Sequence, residues 1–371
     1  MKVKETTTWA YSTAPGHLGQ LASVTASNGT AQNFSYDELG RVTLQTETVS
    51  GEEFTKSYSY DSYGRVQTEN WNTGFGIMYQ YNPQGYLSHV KTQNNQLLWQ
   101  GQAYNARGQI TSYLQGTGLQ TTKNWDSYGF PEQILTQTTG STPNDRQKLG
   151  YNFDELKGNL MSRTDHLAGG GNGKTENFLY DGLNRLTNEN VYNGVQLTTG
   201  FALCGNITSK SDIGTYTYSE AGPHAVTGLT NTTGNLLPVS NQTVDYTAFN
   251  KTSFISQGDY SYYITYGPDR QRSKTVLNQS PNENTILTKY YAFGDYEKEI
   301  TEDGTRHLHY ISGGDVLAAI YVKYDNAPEE MYFILKDHLG SITGAINSET
   351  GTVFRQNFDA WGRKRNPVTR S

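Results

Sequence analysis

Three side chains near the end of the sequence are of the types that hydrolases use for nucleophilic catalysis. Asp337, His338 and Ser341 supply a carboxylate, an imidazole and a hydroxyl within five consecutive residues. Neighbouring side chains of an extended segment point to opposite faces, so groups this close along the chain cannot reach the mutual geometry of a triad. The sequence also holds no phosphate-binding loop, nucleophile elbow or pair of acid–base carboxylates. We expect Asp337 and His338 to stabilise a turn, and we predict that the chain has no catalytic residue and is not an enzyme.

Metal ligation is the second chemistry that the residue types allow. His307 and His309 are two residues apart and would share one face of a strand, but the spacing shows no third ligand. Several aspartates also recur, each in its own repeat motif and at least 24 residues from the next, whereas calcium-binding β-rolls use nonapeptide repeats rich in Gly and Asp. We expect cross-strand packing for the histidines, turn closure for the aspartates, and neither a metal ion nor a cofactor. The aspartates concerned are Asp37, Asp61, Asp126, Asp154, Asp181 and Asp359.

The single cysteine and a short basic cluster have simpler interpretations. Cys204 stands alone, which excludes an internal disulfide and a thiolate metal cluster, and we expect it to be a buried small hydrophobic side chain. Arg363, Lys364 and Arg365, with Arg370 nearby, could mark a processing site or a solvated tail. The tail is the preferred interpretation.

The composition indicates a folded chain without one large core. Hydrophobic residues make up 34% of the sequence, yet its 28 tyrosines set it apart from disordered chains, which are poor in aromatics. Tyrosine suits thin sheets whose faces stay partly wet. The net charge of −6 argues against nucleic acid as a partner, because binding to its backbone requires a basic face. No stretch approaches the roughly 20 apolar residues of a membrane span, and residues 1–5 do not open a visible signal peptide.

The elements that must position these side chains are short repeats. Residues 36–42 read Tyr-Asp-Glu-Leu-Gly-Arg-Val, and related segments begin at Tyr60, Tyr81, Tyr104 and Trp125. The spacings between these leading aromatics are 24, 21, 23 and 21 residues, a regularity typical of a tandem repeat. Looser copies begin at Phe153, Tyr180, Phe201, Tyr218, Tyr246, Tyr266, Tyr291 and Phe358.

Each repeat has the pattern of a strand, a turn and a second strand. The aromatic ends one strand, Asp or Asn can close an Asx turn on the backbone two residues later, and Gly, or Asn184 once, supplies a positive φ. The apolar residue two positions after the Gly begins the return strand. Residues 55–60 alternate in the period-two pattern of a strand, and no convincing helical stretch is present. The residues expected to form the repeat turns are Tyr36, Asp37, Gly40, Tyr60, Asp61, Gly64, Tyr81, Asn82, Gly85, Tyr104, Asn105, Gly108, Tyr180, Asp181, Asp337, His338, Gly340, Asp359 and Gly362.

The predicted fold is all-β. A spacing near 22 residues fits two strands of about 7 residues plus two turns. Tandem β-hairpins stacked side by side would form a curved or spiralling antiparallel ribbon, with edges protected by the neighbouring repeat. Residues 169–173, rich in glycine, are the clearest flexible loop, and residues 278–284 are a second surface excursion.

The Tyr-Asp-x-x-Gly-Arg repeats resemble the YD-repeat or RHS family, which includes bacterial RHS polymorphic toxins, the C component of insecticidal Tc toxins and animal teneurins. Residues 218–226, 266–272 and 291–310 are similar to recurrent RHS segments. Residues 336–342 together with 358–367 resemble the opening of the RHS-associated core. The likeness runs from about Ala22 to Pro367. We therefore divide the chain into degenerate YD/RHS repeats over 1–290 and a truncated core-like segment over 291–371, continuous with the ribbon.

The resemblance implies a β-ribbon that spirals into a hollow shell, which in RHS and Tc proteins encloses a variable C-terminal toxin. This sequence has far fewer repeats than a closed cage needs, so a partial, open β-shell is expected. It stops at Ser371, before the family's usual cleavage segment, so neither autoproteolytic aspartates nor a toxin can be assigned to its residues. Residues 1–11 already read like the middle of a repeat, which suggests truncation upstream.

These patterns lead to three functional hypotheses. The first is a non-catalytic structural shell that encapsulates or presents a C-terminal toxin or effector, within a secreted or cell-surface bacterial protein whose export signal lies upstream or whose export uses another route. The second is a surface adhesion module that binds glycans or a partner protein through exposed aromatics, with Trp71, Trp99, Trp125 and Trp361 as candidates. The weakest is an autoproteolytic core whose cleavage segment lies beyond the chain end.

Overall fold

The computed structural model describes residues 5–116, 118–191, 194–218, 223–230, 242–280 and 282–370. Residues 1–4, 219–222, 281 and 371, which belong to segments singled out above, lie outside the described residues. The described chain has a nearly all-β fold, with long antiparallel sheets that are open rather than closed into barrels, so the predicted fold class is confirmed. Among the described residues, no helix has the length and apolar character that crossing a membrane would require.

The first sheet contains twenty strands that follow one another in chain order. They are β1 (Thr7–Tyr11), β2 (Leu21–Ala26), β3 (Ala31–Tyr36), β4 (Val42–Val49), β5 (Glu52–Tyr60), β6 (Val66–Trp71), β7 (Gly76–Tyr81), β8 (Leu87–Thr92), β9 (Leu97–Tyr104), β10 (Ile110–Gln115), β11 (Leu119–Trp125), β12 (Pro131–Thr138), β13 (Asp145–Phe153), β14 (Leu160–Asp165), β15 (Lys174–Tyr180), β16 (Leu186–Val191), β17 (Leu197–Phe201), β18 (Ile207–Lys210), β19 (Gly214–Tyr218) and β20 (Val226–Thr230).

The second sheet contains eleven strands, and a two-stranded hairpin follows it. The strands of the sheet are β21 (Gln242–Tyr246), β22 (Thr252–Gln257), β23 (Tyr260–Tyr266), β24 (Arg272–Gln279), β25 (Asn284–Ala292), β26 (Tyr296–Thr301), β27 (Gly304–Gly313), β28 (Val316–Tyr324), β29 (Glu330–Lys336), β30 (Ile342–Asn347) and β31 (Val353–Arg355). The hairpin consists of β32 (Asn357–Phe358) and β33 (Lys364–Arg365), and one short 3₁₀ helix, η1 (Gly169–Gly171), precedes β15.

The repeat motif sets where the strands begin and end. β3 ends at Tyr36 and β4 begins at Val42, two residues after Gly40, and the same positions bound the strands of the later repeats. The pairing of β3 with β4 shifts register between Ser35 and Tyr36, which is a β-bulge immediately before the motif's aromatic. Equivalent shifts precede Tyr60, Tyr81, Trp125, Phe153, Tyr180, Phe201, Tyr218, Tyr246 and Tyr266.

The described residues fall into two compact units. One comprises the described parts of Met1–Gly101, Ser240–Phe333 and Asn347–Gly351, and the other those of Gln102–Val239, Ile334–Ile346 and Thr352–Ser371. The predicted boundary at residue 290 falls inside β25 and does not coincide with either division. The boundary therefore remains a prediction, based on the change from degenerate repeats to a core-like segment in the sequence.

In the first unit, side chains from the early strands pack against side chains from the late strands. Phe54 on β5 contacts the rings of Tyr290 and Tyr296, with centroids 5.7 and 5.6 Å apart. Phe75 stacks on Tyr321 of β28 at 4.0 Å. The core of this unit is therefore aromatic, and it closes contacts between residues more than 200 positions apart along the chain.

The second unit has a more polar interior. Gln115, which is almost fully buried, donates a side-chain hydrogen bond of 3.0 Å to the carbonyl oxygen of Ile334. The buried hydroxyls of Thr121 and Thr136 are 2.8 Å apart and bond across β11 and β12. Because buried polar groups must find partners, this network fixes the register of the strands as firmly as apolar packing would.

The expectation that Cys204 is buried is wrong. Cys204 is exposed, because it occupies the tip of the turn that joins β17 to β18, where side chains point to solvent. The glycine-rich segment lies at the surface, with residues 170–172 exposed. Within it, Gly169–Gly171 forms η1, and the Gly169 N–H donates a 3.3 Å hydrogen bond to the Val368 carbonyl.

Candidate functional site

The turn that follows β3 shows the geometry of the complete Tyr-Asp repeat motif. Asp37 Oδ1 accepts hydrogen bonds from the backbone N–H groups of Leu39 and Arg41, at 3.0 and 2.9 Å. Asp37 Oδ2 accepts from Arg41 Nε and Nη2 at 2.7 and 2.6 Å. Gly40 lies between them at φ 76°, the left-handed conformation that closes the turn. The Arg41 side chain, by hydrogen bonding, is the main cause that lowers the pKa of Asp37.

The other predicted turn residues repeat this geometry with small variations. Asp61 and Asp181 hold the guanidinium groups of Arg65 and Arg185 in the same way, with Oδ2 accepting from both Nε and Nη2. Asp337 and Asp359 also accept from two backbone N–H groups each. Asn82 and Asn105 accept the two backbone hydrogen bonds through one amide oxygen. The glycines of these turns, all at positive φ, are Gly64, Gly85, Gly108, Gly340 and Gly362.

The tyrosine or tryptophan that opens several of the motifs reaches back to the preceding repeat. The Tyr60 hydroxyl donates a 2.7 Å hydrogen bond to the carbonyl of Val42, the residue that begins the previous return strand. Tyr36 bonds Leu21 in this way, Tyr81 bonds Val66, Tyr180 bonds Leu160, and the indole N–H of Trp125 bonds Ile110, at 2.6, 2.8, 2.9 and 3.0 Å. We call this hydrogen bond, from the opening aromatic to the backbone of the preceding repeat, the aromatic latch. Tyr104 ends β9 at the corresponding position and is 49% exposed.

The arginine of one turn also contacts the aromatic of the next repeat. The Arg41 guanidinium carbon lies 4.4 Å from the Tyr60 ring centroid, and that of Arg65 lies 4.3 Å from the Tyr81 ring. Such cation–π contacts join consecutive turns to one another. The sequence signal for this role was the Arg that follows the Gly, but spacing alone could not identify the ring on which it stacks.

The turn tips carry exposed apolar side chains. Leu39 and Tyr63, which immediately precede the glycines of their turns, are 76% and 83% exposed. Corresponding exposed residues at other turn tips are Tyr128, Leu156, Leu183, Leu203, Leu339 and Trp361.

The structure does not assemble the superficial triad. Asp337 is committed to its turn, where it accepts from the backbone of Leu339 and Ser341. The His338 ring packs against Tyr151, with centroids 4.5 Å apart, and burial lowers its pKa to about 4. His338 is therefore neutral at physiological pH and contributes to packing.

The two histidines of β27 are likewise engaged. His309 is buried among Trp71, Phe75 and Tyr321, and burial lowers its pKa to about 3. His307 Nδ1 lies 2.6 Å from the Tyr296 hydroxyl. Across the described ranges, no three His, Cys, Asp or Glu side chains are grouped closely enough to hold a metal ion.

The tryptophans proposed for glycan stacking separate into two classes. Trp71 and Trp99 are buried, at 4% and 0% exposure, and Trp99 lies against Gly313, where a β-carbon would meet its ring. They cannot stack on a sugar, so that part of the hypothesis is wrong. Trp125 is half-buried and engaged in its aromatic latch, and Trp361 is 39% exposed, with Lys210 Nζ 4.3 Å from its ring.

The basic residues near the C-terminus are not a solvated tail. Arg370 is 7% exposed and its Nη2 lies 2.6 Å from Asp165 Oδ2. Arg363 pairs with Asp212 at 3.0 Å, and Arg365 pairs with Glu176. These acidic partners lie on or beside β14, β15 and β18, so ion pairs hold the last residues against the repeats. The spacing of residues along the sequence could not predict these contacts.

The first unit also contains an open cleft of about 510 Å³. Glu47 on β4 lines it, together with Gln32, Gln45 and Asp269. Glu47 Oε1 accepts from the side-chain amides of Gln32 and Gln45 at 3.2 and 2.9 Å. Burial is the main cause that raises the pKa of Glu47 to about 7.

Comparison with known proteins identifies the repeats and the fold. Residues 17–53, which include the first complete turn, match the family model described as RHS Repeat. No curated protein matches the sequence. The crystal structure of TcdB2-TccC3 aligns with a TM-score of 0.70 at 14% identity, covering 98% of this chain and 22% of that chain. A Tc holotoxin pore of Photorhabdus luminescens, carrying a mutation in TccC3, gives a TM-score of 0.71 at 14% identity, with 98% and 21% covered.

The chain thus spans about a fifth of the length of these solved chains. It shares their fold along almost all of its own length. The recognition of RHS-type repeats from the sequence is confirmed.

Proposed function

We propose that this chain is part of a non-catalytic structural shell of an RHS-type bacterial protein, and that the shell encapsulates or presents a toxin or effector. The observation that carries the proposal is the aromatic latch, in which a repeat's side chain bonds the backbone of the repeat before it, as Tyr60 does to Val42. A wall built by such nearest-neighbour contacts can extend over many repeats.

The distribution of chemistry along the chain supports a structural role. The aspartates, which are the recurrent titratable groups, are engaged in turn closure, as Asp37 is by two backbone N–H groups and Arg41. His338 is neutral and packed against Tyr151. A catalytic centre needs a nucleophile and a base within hydrogen-bond reach of each other, and the predicted motif residues are used in other contacts.

The solved proteins that share the fold suggest the biological setting. These solved proteins are a TcdB2-TccC3 complex and a Tc holotoxin pore that carries a mutation in TccC3. By analogy we propose that the complete protein is secreted or displayed at the bacterial cell surface and that its cargo is part of the same polypeptide. Fold analogy alone does not identify a function, so the cargo must be tested directly.

Protease protection of the complete native product tests the shell. The product, including any coding sequence that follows residue 371, is treated with a nonspecific protease under native conditions and compared with the downstream domain expressed alone. We expect the downstream domain to survive at least tenfold longer in the complete product. Equal survival in the two preparations, or a complete product without any downstream domain, would contradict encapsulation.

The exposed turn tips favour a second candidate, a surface that contacts a partner protein or glycan. Large apolar side chains such as Tyr63 and Leu39 are rarely this exposed in series without a binding role. Glycan arrays and surface binding assays with the purified chain would compare the wild type with Tyr63→Ser and Tyr128→Ser. Specific binding that these substitutions abolish would support the second candidate. Binding that they leave unchanged would exclude the turn-tip side chains as the binding surface.

A further inference from the structure

A lysine occupies a core position of the first unit. Lys56 lies on β5 between Phe54 and Tyr58 in the alternating pattern, and it is only 4% exposed. A buried ammonium group is costly unless charged partners surround it. Its neighbours therefore determine what the position can do.

Two carboxylates approach the Lys56 nitrogen from different elements. Asp295 Oδ2, from the turn between β25 and β26, lies 2.5 Å from Nζ. Glu69 Oε2, from the adjacent strand β6, lies 2.9 Å from the same nitrogen. The Trp71 and Tyr58 rings lie 4.6 and 5.4 Å from Nζ. One amine thus faces two acids within an aromatic enclosure.

The two carboxyl groups differ in their surroundings. Burial is the main cause that raises the pKa of Asp295, which favours its neutral acid form. Glu69 shares a side-chain hydrogen bond with the Tyr79 hydroxyl. Asp295, whose oxygen lies nearer to the Lys56 nitrogen, is therefore assigned as the acyl group, and Glu69, the second carboxyl group in contact with that nitrogen, as the proton carrier.

We propose that Lys56 and Asp295 form an intramolecular amide bond, with Glu69 carrying the proton. The Lys56 amine attacks the Asp295 carboxyl carbon, so that a C–N bond forms. Glu69 takes a proton from the nitrogen and delivers it to the departing hydroxyl, and the Cγ–O bond breaks to release water. The sum is one amine plus one carboxylic acid giving one amide plus one water, without oxidant, reductant or cofactor.

The geometry supplies what such a condensation needs. Holding an amine and an acid in contact gives effective concentrations of about 10⁵–10⁸ M in well-oriented intramolecular reactions. A general base that returns its proton to the leaving group lowers the barrier further. The bond would link β5 to the turn after β25, two places 239 residues apart along the chain.

Other ion pairs of the same unit serve as internal comparisons. Lys298 lies 2.9 Å from Glu52, but the Glu52 side chain is 41% exposed. The Glu52 carboxylate is the more exposed to solvent, so we expect that pair to remain ionic. The proposal therefore places the cross-link at Lys56 and not at Lys298.

Intact mass measured under denaturing conditions tests the proposal. The full chain should have a mass lower by one water, and digestion should yield one branched peptide that contains Lys56 and Asp295. Water can also be lost at Asp-Gly sequences such as Asp181-Gly182, so the position of the loss must be determined by fragmentation. An unmodified mass, or a water loss located elsewhere, would overturn the proposal.

Three variants make the assignment specific. Lys56→Arg should have the mass calculated from its own sequence, with no loss of water. If the water is still lost in this variant, Lys56 is not the amine that forms the bond. Asp295→Asn should lose ammonia instead of water, because the same attack expels the amide nitrogen. Glu69→Gln should reduce the linked fraction at least tenfold at early times, and full linkage in this variant would exclude Glu69 as the proton carrier. The mass of the wild-type chain decides the main question even if a variant fails to fold.

Discussion

The hydroxyl of Tyr60 lies 2.7 Å from the carbonyl oxygen of Val42 and donates a hydrogen bond to it. Val42 is the first residue of the return strand in the preceding repeat, and Tyr60 is the last residue before the next turn. The same relationship recurs between Tyr81 and Val66. The stacking of these repeats thus depends on contacts between repeats as well as on the hairpins.

Replacing Tyr60 by Phe should destabilise the chain by about 1 kcal/mol, because the Val42 carbonyl loses a donor while the ring packing is retained. Urea unfolding of the wild type and the variant measures this difference. Tyr63→Phe is the matched control. It makes the same chemical change three residues later in the chain, at an exposed turn-tip side chain. Equal effects of the two substitutions would show that the aromatic latch contributes nothing.

Gly108→Ala should cost about 1–2 kcal/mol, because Gly108 adopts φ 77° and an L-residue is strained there. No atom lies within 4 Å of a β-carbon added to Gly108, so the effect isolates backbone strain. Gly182→Ala provides the control, since Gly182 also has open space around it and no positive φ. Thermal or urea unfolding should separate the two variants, and a neutral Gly108→Ala would argue against the left-handed turn.

Stability should depend on pH through Glu47. Burial raises its pKa to about 7 from the ordinary 4.5, so the folded chain holds this proton more tightly than the unfolded chain does. The resulting stabilisation is fully present below about pH 4.5 and is lost as pH rises through about 7. At about 1.4 kcal/mol per pKa unit, the change is about 3–4 kcal/mol.

Glu47→Gln, which mimics the neutral acid, should remove that part of the pH dependence and be more stable than the wild type at pH 8. Urea unfolding at pH 5 and pH 8 measures both effects. The exposed Glu53 on β5 supplies the control substitution, Glu53→Gln, for which no such difference is expected. A wild-type pH profile that Glu47→Gln leaves unchanged would contradict the assignment.

Arg370→Ala should release the C-terminal segment from the second unit. The Arg370 side chain is 3% exposed and pairs with Asp165 at 2.6 Å, so the substitution leaves a partly buried carboxylate without its partner. The expected loss in the free energy of unfolding is about 2–3 kcal/mol. This is at or below the usual range of about 3–5 kcal/mol for breaking a buried ion pair, because Asp165 is 21% exposed.

Limited proteolysis of residues 352–370 measures this release, and cleavage should accelerate at least tenfold. Lys364→Ala is the control, because Lys364 is exposed on the same segment. Unchanged cleavage in Arg370→Ala would show that other contacts hold the segment.

The sequence was sufficient for local features and insufficient for contacts between distant residues. The strand starts could be predicted because Gly40 and Val42 lie in one turn whose chemistry is local. The alternation in β5 placed Lys56 and Tyr58 on one face, but it could not reveal that this face is buried against Asp295, more than 200 residues away. Cys204 was misassigned because composition suggests burial for cysteine, whereas the turn tip exposes it.

The docked C-terminus illustrates the same limit. Arg363 and Arg370 look like a solvated run when they are considered alone, and their acidic partners, Asp212 and Asp165, are distributed over the repeats without a pattern. A pairing of this kind depends on which strands are brought together. Only the three-dimensional arrangement could show it.

The aromatic latch points in one direction, from each repeat to the one already synthesised. Tyr60 needs Val42, which leaves the ribosome earlier, and it requires no residue that comes later. Since domains generally fold from the N-terminus during synthesis, a new hairpin can attach to a finished template as soon as its own turn has emerged. The hairpins can therefore pair one after another as the chain is translated, whereas the packing of Phe54 against Tyr290 and Tyr296 must wait until β25 and β26 have been made.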